Sequence, residues 1–233
     1  MIGYYNYTML LTYMSLASAS VGIVVSLMGA GHPYIGMCLL LFCGLCDAFD
    51  GKVAKTKKNR SERECKFGIQ VDSLSDIVAF GVLPTCIGAA LMRTSESLQK
   101  LQEGAFGKVF TVFLFATMTC YTLAALIRLA YFNVTEEERQ IKETGSRKYY
   151  VGLPVTSAAI TFPTVLLVVF LVLKFRSVDL APIYFIIMAV SALAFVLNFR
   201  LKKPGLKAIL IMIGIGVVEG IAMISALIYY NTL

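Results

Sequence analysis

Four aspartates stand in otherwise apolar sequence, as two pairs flanking one basic loop: LFCGLCDAFDGKVAKTKKNRSERECKFGIQVDSLSDIVAFGVLP. Asp47 and Asp50 are three residues apart and Asp72 and Asp76 four apart, so on helices each pair shares a face. Carboxylates at membrane depth are costly unless something neutralises them. Four together repel one another and take up protons. Two divalent ions, Mg²⁺ or Mn²⁺, bring four positive charges and accept oxygen ligands. Paired ions of that kind clamp the attacking and leaving oxygens of an in-line displacement at phosphorus, which ties the cluster to phosphate chemistry.

The elements that carry these acids have to be membrane helices. The 233-residue chain is 58% hydrophobic, and several apolar runs reach the roughly 18–20 residues needed to cross about 30 Å of hydrocarbon. The pattern predicts an all-α integral membrane protein with seven spans, at about 10–29, 35–55, 67–92, 108–132, 152–174, 180–199 and 206–231. Residues 1–9 lack the positive segment of a cleavable signal. No linker marks a domain boundary, so residues 1–233 read as a single transmembrane catalytic domain. Residues 93–107 read as a polar loop, and 133–150 as a charged segment with a short surface helix.

The net charge of +7 gathers in loops, which argues for membrane topology and against nucleic-acid binding. Residues 52–66 carry seven Lys/Arg, 128–148 carry five and 200–207 carry four; the opposite side has Arg93, Lys100, Lys108, Lys174 and Arg176. Sixteen against five places the acid-bearing loop on the cytoplasmic side of a cell membrane. Five of the six cysteines fall in predicted spans and imply no disulfide framework. Counting inward from the loop, Asp50 and Asp72 lie at one depth and Asp47 and Asp76 about one turn deeper. Gly44, Ala48, Gly51 and Ala54 keep one side of the second span narrow, and Gly68 lies one turn before Asp72. For Gly44 and Ala48 this is helix packing; Gly51 and Gly68 flank the acids directly. Of the basic rim, most members are topology charges, and Lys55, one turn beyond Gly51, is the candidate for phosphate contact. Arg128, in LAALIRLAYF, is either an interfacial side chain or a guanidinium for a carboxylate or phosphate. Asn133, Arg147 and Lys148 share its membrane side. Glu219 lies deep in the seventh span and either pairs with a polar neighbour or faces a subunit contact.

The pattern DxxDGxxAK, twelve residues, GxxxDxxxD resembles the signature of the CDP-alcohol phosphotransferases. FGIQVDSLSDIVAFGVLP, ALIRLAYFNV and YYVGLPVTSAA resemble the phosphatidylserine synthase branch. The resemblance implies a six-helix core over about 10–199, with 206–231 as an added helix, and a homodimer whose site opens to cytoplasm and lipid. It implies two Mg²⁺ or Mn²⁺ ions on Asp47, Asp50, Asp72 and Asp76, with Asp76 also the catalytic base. Gly51, Ala54, Lys55 and Gly68 fall at CDP-binding positions, and Arg128, Asn133, Arg147 and Lys148 are candidates for the acceptor or an anion. The implied reaction moves a phosphatidyl group from CDP-diacylglycerol to L-serine, releasing CMP among membrane lipids. Two features depart from the family. Lys55 stands where the family has arginine, keeping the charge and losing the fork, and the spacer is twelve residues, not eight. The metal cluster does not choose the acceptor, so glycerol 3-phosphate and inositol phosphate are alternatives. A divalent-cation transporter is the alternative of another class.

Overall fold

Apolar length and short connections set the architecture of this chain. The computed structural model describes residues 3–29, 31–57, 59–142, 149–202 and 205–231. Among the described residues, five helices are long and apolar enough to cross a membrane, and Pro182–Val196 and Leu210–Ser225 are shorter apolar helices. The protein is therefore an all-α, multi-pass membrane protein, with apolar rods at the seven predicted places.

Helices α1 (Leu10–Leu27) and α2 (Pro33–Ala54) form an antiparallel hairpin. Their seam follows small side chains: Ser15, Ser18, Ala19, Gly22 and Ser26 of α1 are buried. Small residues let two backbones approach where no hydrophobic force holds helices together. Hydroxyl and thiol donors use the closeness, with Ser18 donating to the Leu39 carbonyl at 3.1 Å and Cys43 to that of Ser15 at 3.3 Å. Helix α1 ends where Gly29 turns to φ 55°. Arg93 donates to the carbonyls of Ser26, Leu27 and Gly29 at 3.0–3.4 Å, filling acceptors that a helix end leaves open.

The next rod, Glu62–Thr94, is continuous but not uniform. It comprises α3 (Glu62–Asp76), a π-helical segment Ile77–Val82, and α4 (Leu83–Thr94). Residues 93–107, expected as a loop, instead hold a short helix α5 (Glu96–Glu103) that packs on α6 (Gly107–Lys142) through buried Leu98. Helix α6 also absorbs most of the charged segment after residue 132, so the expected separate surface helix is a continuation of the fourth span. Strand β1 (Tyr149–Val151) follows, then α7 (Ala158–Arg176), α8 (Pro182–Val196), strand β2 (Arg200–Lys202) and α9 (Leu206–Asn231). The strands pair antiparallel with Tyr150 opposite Leu201. No alternating run announced this ribbon: three residues are too few for a period-2 signal.

The core centres on Tyr121, Tyr184, Phe162 and Phe195, with ring centroids 5.0–5.4 Å apart in successive pairs. Helix α9 packs at the edge against α2 and α7. There Glu219 accepts a hydrogen bond from Thr164, so of the two readings for this residue the polar neighbour is present.

At the end away from the acids, Asp179 ties two helix starts together. It accepts from the Ser95 hydroxyl at 2.6 Å, the Ser97 N–H at 3.1 Å and the Ala181 N–H at 3.0 Å. Partial burial opposes ionisation, but these donors outweigh it and hold the carboxyl below the usual range. Because the folded value is lowered, the stabilisation is complete above the ordinary aspartate value near 4 and drains away as pH falls through the folded one. Asp179→Ala is expected to lose about 1 kcal/mol at neutral pH, with the gap to wild type closing in acid. Thermal unfolding followed by a dye that captures buried Cys43 and Cys46 measures it, and a pH-independent gap would contradict the assignment.

Candidate active site

The acids lie in the C-terminal turns of α2 and of α3. Asp50 and Asp72 lie within hydrogen-bond reach of each other. Asp76, 8% exposed, is within electrostatic range of the other three, Asp47 foremost. Four carboxylates from two helices thus lie within electrostatic range of one another. Among the described residues no Lys or Arg forms an ion pair with any of them. Nor does any group of three or more His, Cys, Asp or Glu side chains, as placed, converge closely enough to hold an ion. The donor chemistry still fits hard divalent cations: carboxylate oxygens only, uncompensated by protein charge, in a setting where bare charge is costly.

The placement of Asp76 has a specific cause. Pro84 has no N–H, so the carbonyl of Phe80 four residues earlier loses its helical donor. The ladder slips into π register, with the Leu83 N–H bonding the Val78 carbonyl. A hydroxyl from a neighbouring helix fills the gap, Tyr121 donating to Phe80 at 2.7 Å, and two more donate nearby, Thr122 to Gly81 at 3.2 Å and Tyr184 to Pro84 at 2.8 Å. The π segment begins at Ile77, next to Asp76. Its extra residue per turn alters how the acid-bearing half of the rod is rotated relative to α4.

The remaining expected site residues are distributed as follows. Gly51 is exposed, and a Cβ there would meet nothing within 4 Å. Ala54 ends α2, and Lys55 caps it as an exposed side chain. A Cβ on Gly68 would lie 2.7 Å from a terminal nitrogen of Arg60. A Cβ on Gly44 would lie 2.4 Å from that of Ala159, so Gly44 serves the contact between α2 and α7. Asn133 donates to the Ser73 hydroxyl at 2.7 Å, which ties α6 to α3 beside Asp72. Arg128 is buried, with its Nε donating to the Leu153 carbonyl at 3.0 Å and its guanidinium 5.8 Å from the Phe132 ring centre. It braces the corner where Gly152 takes φ 74°. Arg147 and Lys148 lie outside the described residues. Sequence reasoning missed Ser73, Tyr121 and Tyr184. Pro84 inside an apolar helix was the available signal, since each such proline leaves one carbonyl in need of a donor.

The spacer between the motif halves runs from the end of α2 at Ala54 into α3, which begins at Glu62, so its second half forms the first turns of α3. Ser61 caps α3, accepting from the Glu64 N–H at 3.2 Å. Glu64 is buried and gathers Asn6, Lys57 and Arg60.

Residues 5–198 match the family described as CDP-alcohol phosphatidyltransferase. The chain belongs to that family. Divalent-metal dependence is general there. A CDP-diacylglycerol–serine O-phosphatidyltransferase of Saccharomyces cerevisiae is 34% identical over 131 residues, 55% of this chain and 40% of the relative. One of the same name from Helicobacter pylori is 27% identical over 145 residues, 62% of this chain and 51% of the relative. An archaetidylserine synthase of Methanothermobacter thermautotrophicus is 30% identical over 149 residues, 64% of this chain and 53% of the relative. The chain thus spans about half the length of these curated relatives. No solved structure matches it. The family match ends before β2 and α9.

Tyr121→Phe keeps the ring packing and removes the hydroxyl from Phe80. A buried carbonyl left without its donor costs about 1–3 kcal/mol, so the variant is expected to melt lower than wild type. A wild-type melting temperature would mean that the carbonyl has another donor and that Tyr121 does not hold the π segment.

Proposed function

We propose that this protein transfers a phosphatidyl group from CDP-diacylglycerol to L-serine, giving phosphatidylserine and CMP. The observation that supports the reading is that Asp47, Asp50, Asp72 and Asp76, from two helices, lie within electrostatic range of one another in a chain of this family. The acceptor rests on the relatives: two named above share the serine transferase name, and the archaeal one also has serine in its product.

In this reading Asp47, Asp50, Asp72 and Asp76 hold two divalent cations, Mg²⁺ or Mn²⁺. When bound, these supply positive charge against the phosphate oxygens as negative charge builds in the transition state. Asp76 takes the proton of the serine hydroxyl, and its burial keeps water from competing for that role. The serine oxygen bonds to the phosphorus attached to diacylglycerol, the bond to the bridging oxygen breaks, and CMP leaves with it. Gly51, open on its outer side, and Ala54 give the nucleotide close access to backbone. Lys55 offers an exposed positive charge at the end of α2, and Arg128, Asn133, Arg147 and Lys148 are the candidates on the acceptor side. The acyl chains stay in lipid: Phe49, Ile69 and Leu74, on the acid-bearing helices, are exposed apolar side chains, so a lateral approach needs no tunnel.

The charge asymmetry of the loops supports a site at the cytoplasmic face of a cell membrane. Residues 1–233 act as one catalytic domain with α9 as an addition to a core of about 10–199. Assembly as a homodimer is taken from the family alone.

CMP formation from CDP-diacylglycerol, with and without serine under Mg²⁺ and Mn²⁺, tests the proposal. Serine-dependent CMP release that vanishes on chelation is expected. Asp76→Asn should lower turnover by at least about a hundredfold, within the range of a lost general base. Full turnover in that variant would remove Asp76 from the role of base. Lipid product formed with glycerol 3-phosphate or inositol phosphate but not serine would reassign the acceptor. Nucleotide-independent cation flux would move the protein to the transport class.

A further inference from the structure

The basic rim of the loop is not uniform. Lys66 keeps 65% of its side chain in solvent and Lys57 33%, whereas Arg60 keeps 15%. A charge serving only topology belongs in water with its hydration intact. Arg60 is instead folded inward, with an Nε that is buried and has no hydrogen-bond partner. Its compensation is thin. The Glu64 oxygen nearest to it lies 4.0 Å from Nε, and Lys57 already holds that oxygen at 2.7 Å. One terminal nitrogen donates to the Glu64 carbonyl at 3.4 Å, at the long end of the hydrogen-bond range. The guanidinium therefore keeps charge and a donor to spare.

Its location gives those a use. A terminal nitrogen of Arg60 lies over Gly68, so close that any side chain there would displace it. Gly68 stands one helical turn before Asp72 on the same face of α3. The connection is also fastened: Glu64 receives Asn6, Tyr7 pairs with Thr56 at 3.1 Å, and Ser61 caps the helix. These contacts place the guanidinium one turn outward from the carboxylate cluster.

We propose that Arg60 is a binding residue for the nucleotide donor, its guanidinium contacting a phosphate oxygen of the cytidine diphosphate group above Gly68. The inference rests on the function proposed above. A planar fork of donors suits phosphate oxygens better than a single ammonium does, and the exposed Lys55 has no such geometry. Glu64 is then a positioning residue that acts through Arg60.

The test compares CDP with cytidine as ligands of the purified full-length protein by titration calorimetry, alongside CMP release from CDP-diacylglycerol. Arg60→Gln is expected to weaken CDP binding roughly ten- to a hundredfold, the size of a lost charge-assisted hydrogen bond. Cytidine affinity and melting temperature should stay at wild-type values, which excludes a folding defect. Arg60→Lys should recover only part of the loss, and Glu64→Gln should show a smaller loss in the same direction. The KM for CDP-diacylglycerol should rise with little change in kcat, as for contacts made equally in ground and transition states. Wild-type discrimination of CDP from cytidine in Arg60→Gln would overturn the contact while leaving the proposed reaction intact. A wild-type protein that binds no cytidine nucleotide would overturn both.

Discussion

Inside a bilayer, each polar group must find its partner within the protein, because no water is there to supply one. The acid-bearing rod Glu62–Thr94 strains that rule in two ways. It carries carboxylates into the apolar layer, and it places Pro84 where the helical ladder needs a donor. The second problem is resolved within the chain. Tyr121 reaches in from another helix and donates to the Phe80 carbonyl that Pro84 leaves open, and Thr122 and Tyr184 donate to the carbonyls of Gly81 and Pro84 beside it. The same aromatic rings form the centre of the core, so repairing the rod and packing the bundle are one arrangement. The carboxylates have no comparable repair among the described residues. That asymmetry is the strongest physical reason to read the cluster as a site completed from outside the polypeptide.

The interruption and the acids are linked by geometry. A helix carried regularly through residues 77–82 would present Asp76 at a different angle from the one reached through a π segment, because each π turn takes up an extra residue. Side chains that hold the slipped register therefore bear on the direction of an acid they do not touch. In a tightly packed bundle such an influence travels through few intermediates: Tyr121 to the Phe80 carbonyl, and then back along one turn of backbone to Asp76.

What the sequence disclosed and what it concealed divide along the range of the interactions. The apolar rods were legible because spanning a membrane needs many consecutive residues of one character. The shared faces of Asp47 with Asp50 and of Asp72 with Asp76 were legible because helical period fixes neighbours three and four apart. The hydroxyl partners of Phe80 and Pro84 lie 41 and 100 residues away in the chain, and no local period marks such pairs. The ribbon joining Tyr149–Val151 to Arg200–Lys202 was hidden for the same reason. Helix α5 is hard to tell from a loop because eight residues carry little pattern, although Ser95 and Glu96 are an N-terminal signature. Arg128 looked like a choice between interfacial charge and anion site, and its bond to the Leu153 carbonyl adds a third use, bracing a glycine corner.

The long spacer shows why a departure from a family pattern is better interpreted in three dimensions than by count. Twelve residues between Lys55 and Gly68 could have formed a loose cytoplasmic loop. Part of them instead extends α3 outward, and Glu64 on that extension draws the connection back onto the helix. This places a guanidinium above Gly68, while Lys55, at the pattern's basic position, sits exposed on the end of α2. Positive charge above Gly68 is then a property of the folded connection and not of one motif position. If Arg60 binds the nucleotide as proposed, a substitution that looks like a loss in the linear pattern is offset by a residue the pattern does not include.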